Sequence, residues 1–234
     1  MKNKNFKILP LLSLIMLCTL LYSCKKDAYI TGGSIVNPKV NLTTYDFLKS
    51  DPFQQFDTLL MLIDKAGLKE QLNQTGVTFF APNDYSVYNY LNAKTMKAQG
   101  IDPLAKYTLD SLFKYDWNEV KDSLKMYMIS TPLTYDKLTN NGAKYITALT
   151  GDTVVVSYEY TTNGNLGYTS TVSSVPQVIY FTQLWKPLPE PFKAEDITDD
   201  IGIRTLCKTS GIQTTTGIVN VLESSHVLFF YGTN

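Results

Sequence analysis

Apolar residues follow two different rhythms along this chain, and the change between them marks its organisation. Phe53, Phe56, Leu59, Leu60 and Ile63 recur at helical spacing. Asp51-Pro52 ahead of them supplies an N-cap with proline at the first helical position, and Gly67 stops the run. Leu68 to Leu72 reads as a second, shorter helix, leading through Gly76 into Val77-Thr78-Phe79-Phe80, which has the residues of a buried strand. Pro82 ends that strand because proline cannot donate to a ladder. Asp84 then stands where it can cap a helix with Val87, Tyr88 and Leu91 facing inward. Asp116 and Glu119 have the spacing of a capping box, predicting a helix that buries Trp117, Val120, Leu124 and Tyr127.

Beyond these helices the period changes to that of strands. Tyr145 to Leu149 and Thr153 to Tyr160 flank Thr150-Gly151-Asp152, a hairpin turn, and Val175 to Gln183 and Ile218 to Leu222 add further β-branched and aromatic runs. His226 to Tyr231 reads as a final strand. Helices grouped early and strands grouped late predict an α+β fold rather than a parallel doubly wound sheet. The periodic pattern begins near Asn41 and continues to Tyr231 without an internal repeat or a linker, so residues 41–234 are expected to form one domain.

The residues before that domain have a different character. Lys2, Lys4 and Lys7 precede an apolar run from Ile8 to Leu21, which ends at Leu21-Tyr22-Ser23-Cys24. The run is shorter than the roughly 18 residues a membrane span needs, so residues 1–23 read as a secretory signal. Leu at −3 and Ser at −1 before a cysteine resemble the lipobox of bacterial lipoproteins, in which Cys24 would be acylated and become the new N-terminus. Residues 24–40, with Gly32-Gly33-Ser34 and Pro38, show no apolar period and read as a tether holding the domain off the membrane. Of three cysteines, Cys18 lies in the signal and Cys24 carries the lipid, leaving Cys207 alone in the folded chain. No intramolecular disulfide is then possible, and the fold must rest on its core. Removing Lys2, Lys4 and Lys7 from 21 basic residues leaves 18 against 21 acidic ones. That balance offers nucleic acid no attraction.

The order Tyr45-Asp46-Phe47-Leu48, Phe56-Asp57-Thr58-Leu59-Leu60, Ala66-Gly67-Leu68 and Thr78-Phe79-Phe80-Ala81-Pro82-Asn83-Asp84 resembles a fasciclin domain. Near the other end, Thr216-Gly217-Ile218-Val219-Asn220-Val221-Leu222-Glu223 is similar to the family's second hallmark. The resemblance implies a twisted β-wedge packed against several helices. It also implies a role in adhesion. Asn220 stands where the family often has His, Glu223 where it has Asp, and Tyr127-Met128 where many members have a Tyr-His pair tied to receptor binding. Integrin-type recognition is therefore not implied for this chain. Pro132 to Pro191 is longer and more aromatic than a minimal member needs.

Candidate chemistry is sparse. The sequence has one histidine, His226, set in the apolar run Val227-Leu228-Phe229-Phe230 and read as structural. Zinc sites draw on several His, Cys or carboxylate ligands at set spacings, and no such spacing is present. A Ser-His-Asp triad would have to be built through His226, and no Gly-x-Ser-x-Gly occurs. Gly164 and Gly167 read as a hairpin turn, since no lysine follows to complete a phosphate loop. Glu195, Asp196, Asp199 and Asp200 read as a solvated acidic turn, with a cation site as the alternative, although their spacing is not that of an EF-hand. No catalytic residue, metal site or cofactor is expected. The 16 tyrosines are the distinctive feature, because tyrosine offers a flat apolar face and a hydroxyl to a sugar or protein partner. Tyr158, Tyr160 and Tyr168 around the second-half hairpin are the candidate ligand-binding residues, for an extracellular protein or polysaccharide. The expectation is a non-enzymatic adhesion or ligand-binding module, anchored by lipid in the cell envelope at the outer membrane. The alternative is an envelope structural component that assembles with other lipoproteins.

Overall fold

A computed structural model describes residues 38–161, 163–164 and 175–233. Cys24, the signal segment, most of the tether and Tyr168 lie outside the described residues. The fold is α+β. The helices are α1 (Thr44–Lys49), α2 (Asp57–Ala66), α3 (Lys69–Leu72), α4 (Asp84–Gln99), α5 (Leu109–Ser111) and α6 (Trp117–Val120), the last two joined by a π-helical stretch, Leu112–Asp116. The strands are β1 (Val77–Ala81), β2 (Met128–Ile129), β3 (Ala143–Ile146), β4 (Thr153–Tyr160), β5 (Gln177–Leu184), β6 (Gly202–Gln213) and β7 (Gly217–Leu222). They form one mixed sheet in the order β2-β1-β7-β6-β5-β4-β3.

One pairing joins the two ends of the sequence. β1 lies parallel to β7, with Val77 opposite Gly217 and Ala81 opposite Val221, while the other strand pairs are antiparallel. A Cβ at position 217 would overlap the Val77 carbonyl oxygen, so the close approach of the strands requires glycine there. The side chains of Phe79, Phe80, Val219 and Leu222 join Leu59, Leu62, Ile63, Phe181 and Phe230 in a single buried cluster. Burial of such residues is the main favourable contribution to the fold, about 1.5–3 kcal/mol for each large apolar side chain.

β6 bends the sheet. Its first half, Gly202 to Leu206, pairs with β5, and its second half, Cys207 to Gln213, pairs with β7. Register shifts between Cys207 and Thr209 and between Thr209 and Ile212 mark bulges, which increase local twist. Gly211 adopts φ 72°, and its N–H donates to the Asn220 side-chain oxygen at 2.8 Å. A buried Asn220 thereby holds the bulge in place.

Several local expectations change in three dimensions. The helix expected from Pro52 is α2, which begins only at Asp57, and Gln54 lies in the left-handed region at φ 53°. Asp84 supplies the missing cap, since its carboxylate accepts the N–H groups of Thr58 at 3.0 Å and Leu59 at 3.1 Å. The cap of α4 is instead Asn83, whose side-chain oxygen accepts the Ser86 N–H at 3.2 Å. On α4 it is Tyr90 that is buried, with Val87, while Tyr88 faces solvent. The capping box predicted at Asp116 is found earlier, between Thr108 and Ser111. Asp116 pairs with Lys94 and the Tyr107 hydroxyl instead.

The segment from His226 to Tyr231 is not a strand. β7 already has β1 and β6 as neighbours, so it offers no free edge. The chain turns through a short 3-10 helix, Leu228–Phe230, with Phe229 at φ 60° and Phe230 at φ 53°. At the other end of β7 the fold takes in Pro38 to Val40, where Val40 N–H donates to Gln213 O at 2.8 Å.

Candidate interaction surfaces

β4 explains what became of the tyrosine site. Side chains alternate across a strand, so Val154, Val156, Tyr158 and Tyr160 form one row on the face that packs on the main core. Along that row burial falls steadily: Val154 and Val156 are buried, Tyr158 is half-buried against the core, and Tyr160 is 59 % exposed. The Tyr158 and Tyr160 rings meet edge to face at 5.4 Å, and Gln177 donates to the Tyr160 hydroxyl at 3.0 Å. The Tyr160 hydroxyl beside it, with some burial, raises the Tyr158 phenol above its ordinary range. Tyr160 is thus open to solvent, whereas Tyr158 packs on the core. Tyr168 lies outside the described residues.

His226 sits in the main core beside α4. Its Nε2 lies 2.8 Å from the Tyr127 hydroxyl, which also accepts the Phe229 N–H at 2.7 Å. A hydroxyl has one proton and two acceptor sites, so beside the Phe229 N–H it can donate to Nε2 or accept from it, and either arrangement suits a neutral imidazole. Burial depresses the imidazole from 6.5 to about 3. Burial likewise raises the Tyr127 phenol and the Cys207 thiol, which keeps both protonated. Asn89 completes the arrangement by donating to the carbonyls of Ser224 and His226, both at 3.0 Å. This network fixes the chain after β7.

Of the three positions that depart from the fasciclin pattern, two are buried and the third is half-buried. Asn220 and Met128 are buried, and Glu223 meets the backbone of Leu206. The acidic turn is partly paired: Lys193 lies 3.8 Å from Glu195, and Lys186 lies 3.3 Å from Asp200. The Thr198 hydroxyl and then Lys186 hold the Asp200 carboxyl below its ordinary range. Among the described residues, no three His, Cys, Asp or Glu side chains converge as metal ligands would.

Two surfaces carry features that the sequence pattern did not reveal. A groove of about 670 Å³ runs between Met96 and Lys97 of α4, Trp185, and the turn from Phe229 to Gly232. Near the start of α4, Phe53, Tyr85 and Tyr88 are 80 %, 61 % and 64 % exposed. A helical reading had turned Phe53 and Tyr88 inward.

The fasciclin domain model matches residues 54–181, more than half of the chain. The chain belongs to the fasciclin domain family. No curated protein matches it. Among solved structures it is similar to the FAS1 domain pair of the insect cell adhesion molecule Fasciclin I, at 17 % identity and a TM-score of 0.42, over 75 % of this chain and 45 % of that one. The chain therefore spans less than half the length of that structure. Fasciclin domains are adhesion-related modules in general.

Proposed function

We propose that this protein is a membrane-tethered, extracytoplasmic adhesion or ligand-binding module that recognises a protein or polysaccharide and is anchored in the cell envelope by lipid on Cys24. Membership of the fasciclin family carries the adhesive part of this reading. The basic and apolar leader that ends in Leu21-Tyr22-Ser23-Cys24 supports the anchor. The low charge and the single buried histidine fit recognition through surface contacts better than acid-base chemistry.

Two measurements test the reading separately. Metabolic labelling with a fatty acid should mark the native chain and leave Cys24→Ala unlabelled; a labelled variant would exclude this anchor. Protease treatment of intact cells, followed by pulldown from envelope extracts, tests display. Cleavage together with recovery of an extracellular protein or polysaccharide supports adhesion. Protection from protease, with only other lipoproteins recovered, replaces it with the structural-component reading.

A further inference from the structure

The loop before α2 and the start of α4 are joined by a hydrogen bond from Asp84 N–H to Gln55 O at 2.7 Å. That bond brings the loop that carries Phe53 to the first turn of α4. Tyr85 and Tyr88, three residues apart on that helix, share one face. All three rings are largely free of the core. Exposed aromatic clusters of this kind are uncommon without a partner.

The charged residues nearest the rings in the sequence are acidic, the first cation being Lys49 at the end of α1. Asp51 and Asp57 flank Phe53, Asp84 precedes Tyr85, and residues 51–57 and 83–92 contain no lysine or arginine. The neighbouring segment after β7, docked here through Asn83 Nδ2 and Ser224 Oγ at 2.9 Å, adds Glu223 and the buried, neutral His226 but no cation. Elsewhere the exposed aromatic Tyr115 has Lys114 over its ring at 4.9 Å, and the groove at Trp185 includes Lys97. Only here do uncovered ring faces and carboxylates occur together without a cation of their own among these surfaces.

The patch also lies away from the point where the chain joins the sheet. Residues 38–44 meet Gln213, Thr214 and Thr216, beside Val77 at the start of β1. The patch follows Ala81 at the opposite end of that strand, about 13 Å further along at roughly 3.3 Å per residue.

We infer that Phe53, Tyr85 and Tyr88, with Asp51 and Asp57, form a docking surface for a lysine- or arginine-bearing segment of a protein partner. The rings receive the cations on their faces, and the carboxylates pair with them at the rim. This rests on the adhesion reading and gives it a partner chemistry.

The test titrates the purified full-length chain with a short alternating Lys-Gly peptide, a Glu-Gly peptide and a neutral glucan. The Lys-Gly peptide should bind, more weakly as salt rises. Tyr85→Ser and Tyr88→Ser should each lower its affinity about two- to fivefold while the thermal melt stays unchanged. Tyr115→Ser, at a ring 67 % exposed outside the patch, should leave binding as it is. Equal or tighter binding of the Glu-Gly peptide or the glucan overturns the inference, as does an equal loss in Tyr115→Ser or no binding of any probe. Failure here leaves the adhesion reading standing if cells still display the chain and recover a partner through it.

Discussion

Around His226, groups withdrawn from water meet partners: Tyr127 bonds both the imidazole and the Phe229 N–H, and Asn89 bonds two carbonyls. The far side of β4 and β5 differs, because Ser157 Oγ and Thr182 Oγ1 are buried there with no hydrogen-bond partner among the described residues. A small satellite cluster of Val155, Ala194 and Ile197 covers them, apart from the main core. Tyrosine shows the same contrast. Tyr127 is fully buried with its hydroxyl used twice, whereas the row on β4 passes from half-buried Tyr158 to exposed Tyr160. The first region is built to hold the fold together, and the second tolerates loose ends. Substitutions should therefore read out as folding in one and as surface chemistry in the other.

Removing the chain from Gly217 onward gives the largest expected effect. That cut takes β7 from between β1 and β6, so Phe79 and Phe80 lose the strand paired with theirs and the core loses Val219 and Leu222. The whole domain should lose its cooperative melt and its near-ultraviolet circular dichroism, since one core serves both halves. A melt that keeps its midpoint and sharpness after this truncation would separate the halves and remove the basis of the contrast.

A smaller effect follows from His226. The unfolded chain takes up a proton near pH 6.5 that the native imidazole refuses until about pH 3. Stability is therefore complete above pH 6.5 and falls as the pH drops through that window, by about 2–3 kcal/mol between pH 6.5 and 4.5. That interval lies mostly above the carboxylate range, so the loss can be assigned to histidine. His226→Gln should be less stable at neutral pH yet show a flatter dependence on pH in denaturant titrations. An unchanged slope would mean that the buried imidazole does not control it.

Much of this was legible in the sequence where one element decided its own form. The Gly67 stop and the β1 run depend on local chemistry, and each was found; the hairpin around Gly151 also formed, with its first strand ending at Ile146 rather than Leu149. What escaped depended on distant partners. Nothing near Phe56 shows that Asp84 will cap α2 from across the fold, and Asp84 itself read as the cap of its own helix. β6 was missed because Lys208, Ser210 and Gly211 interrupt its alternation at the bulges. Tyrosines at 85, 88 and 90 look alike in sequence, but only Tyr90 packs against Phe229 and Tyr231, at 5.6 and 5.3 Å. The candidate site shared that difficulty, because the pairing of β4 with β5 determines how far its row of rings extends beyond the core.

The smallest expected effect separates the two tyrosines of that row. Replacing both together would confuse loss of packing with loss of contact, because Tyr158 lies against the core and Tyr160 against its ring and Gln177. Tyr158→Ser should cost about 1–3 kcal/mol, as expected for removing a half-buried ring, whereas Tyr160→Ser should stay within about 0.5 kcal/mol. Denaturant melts of the two single variants measure this difference directly. If β4 contributes to recognition, Tyr160→Ser weakens attachment to the partner with an unchanged melt, and the surface has a second contact besides the start of α4. Equal destabilisation by both variants would place Tyr160 in the core as well. Normal stability and normal attachment in Tyr160→Ser would show that burial at Tyr158, rather than recognition, is what this row of rings provides.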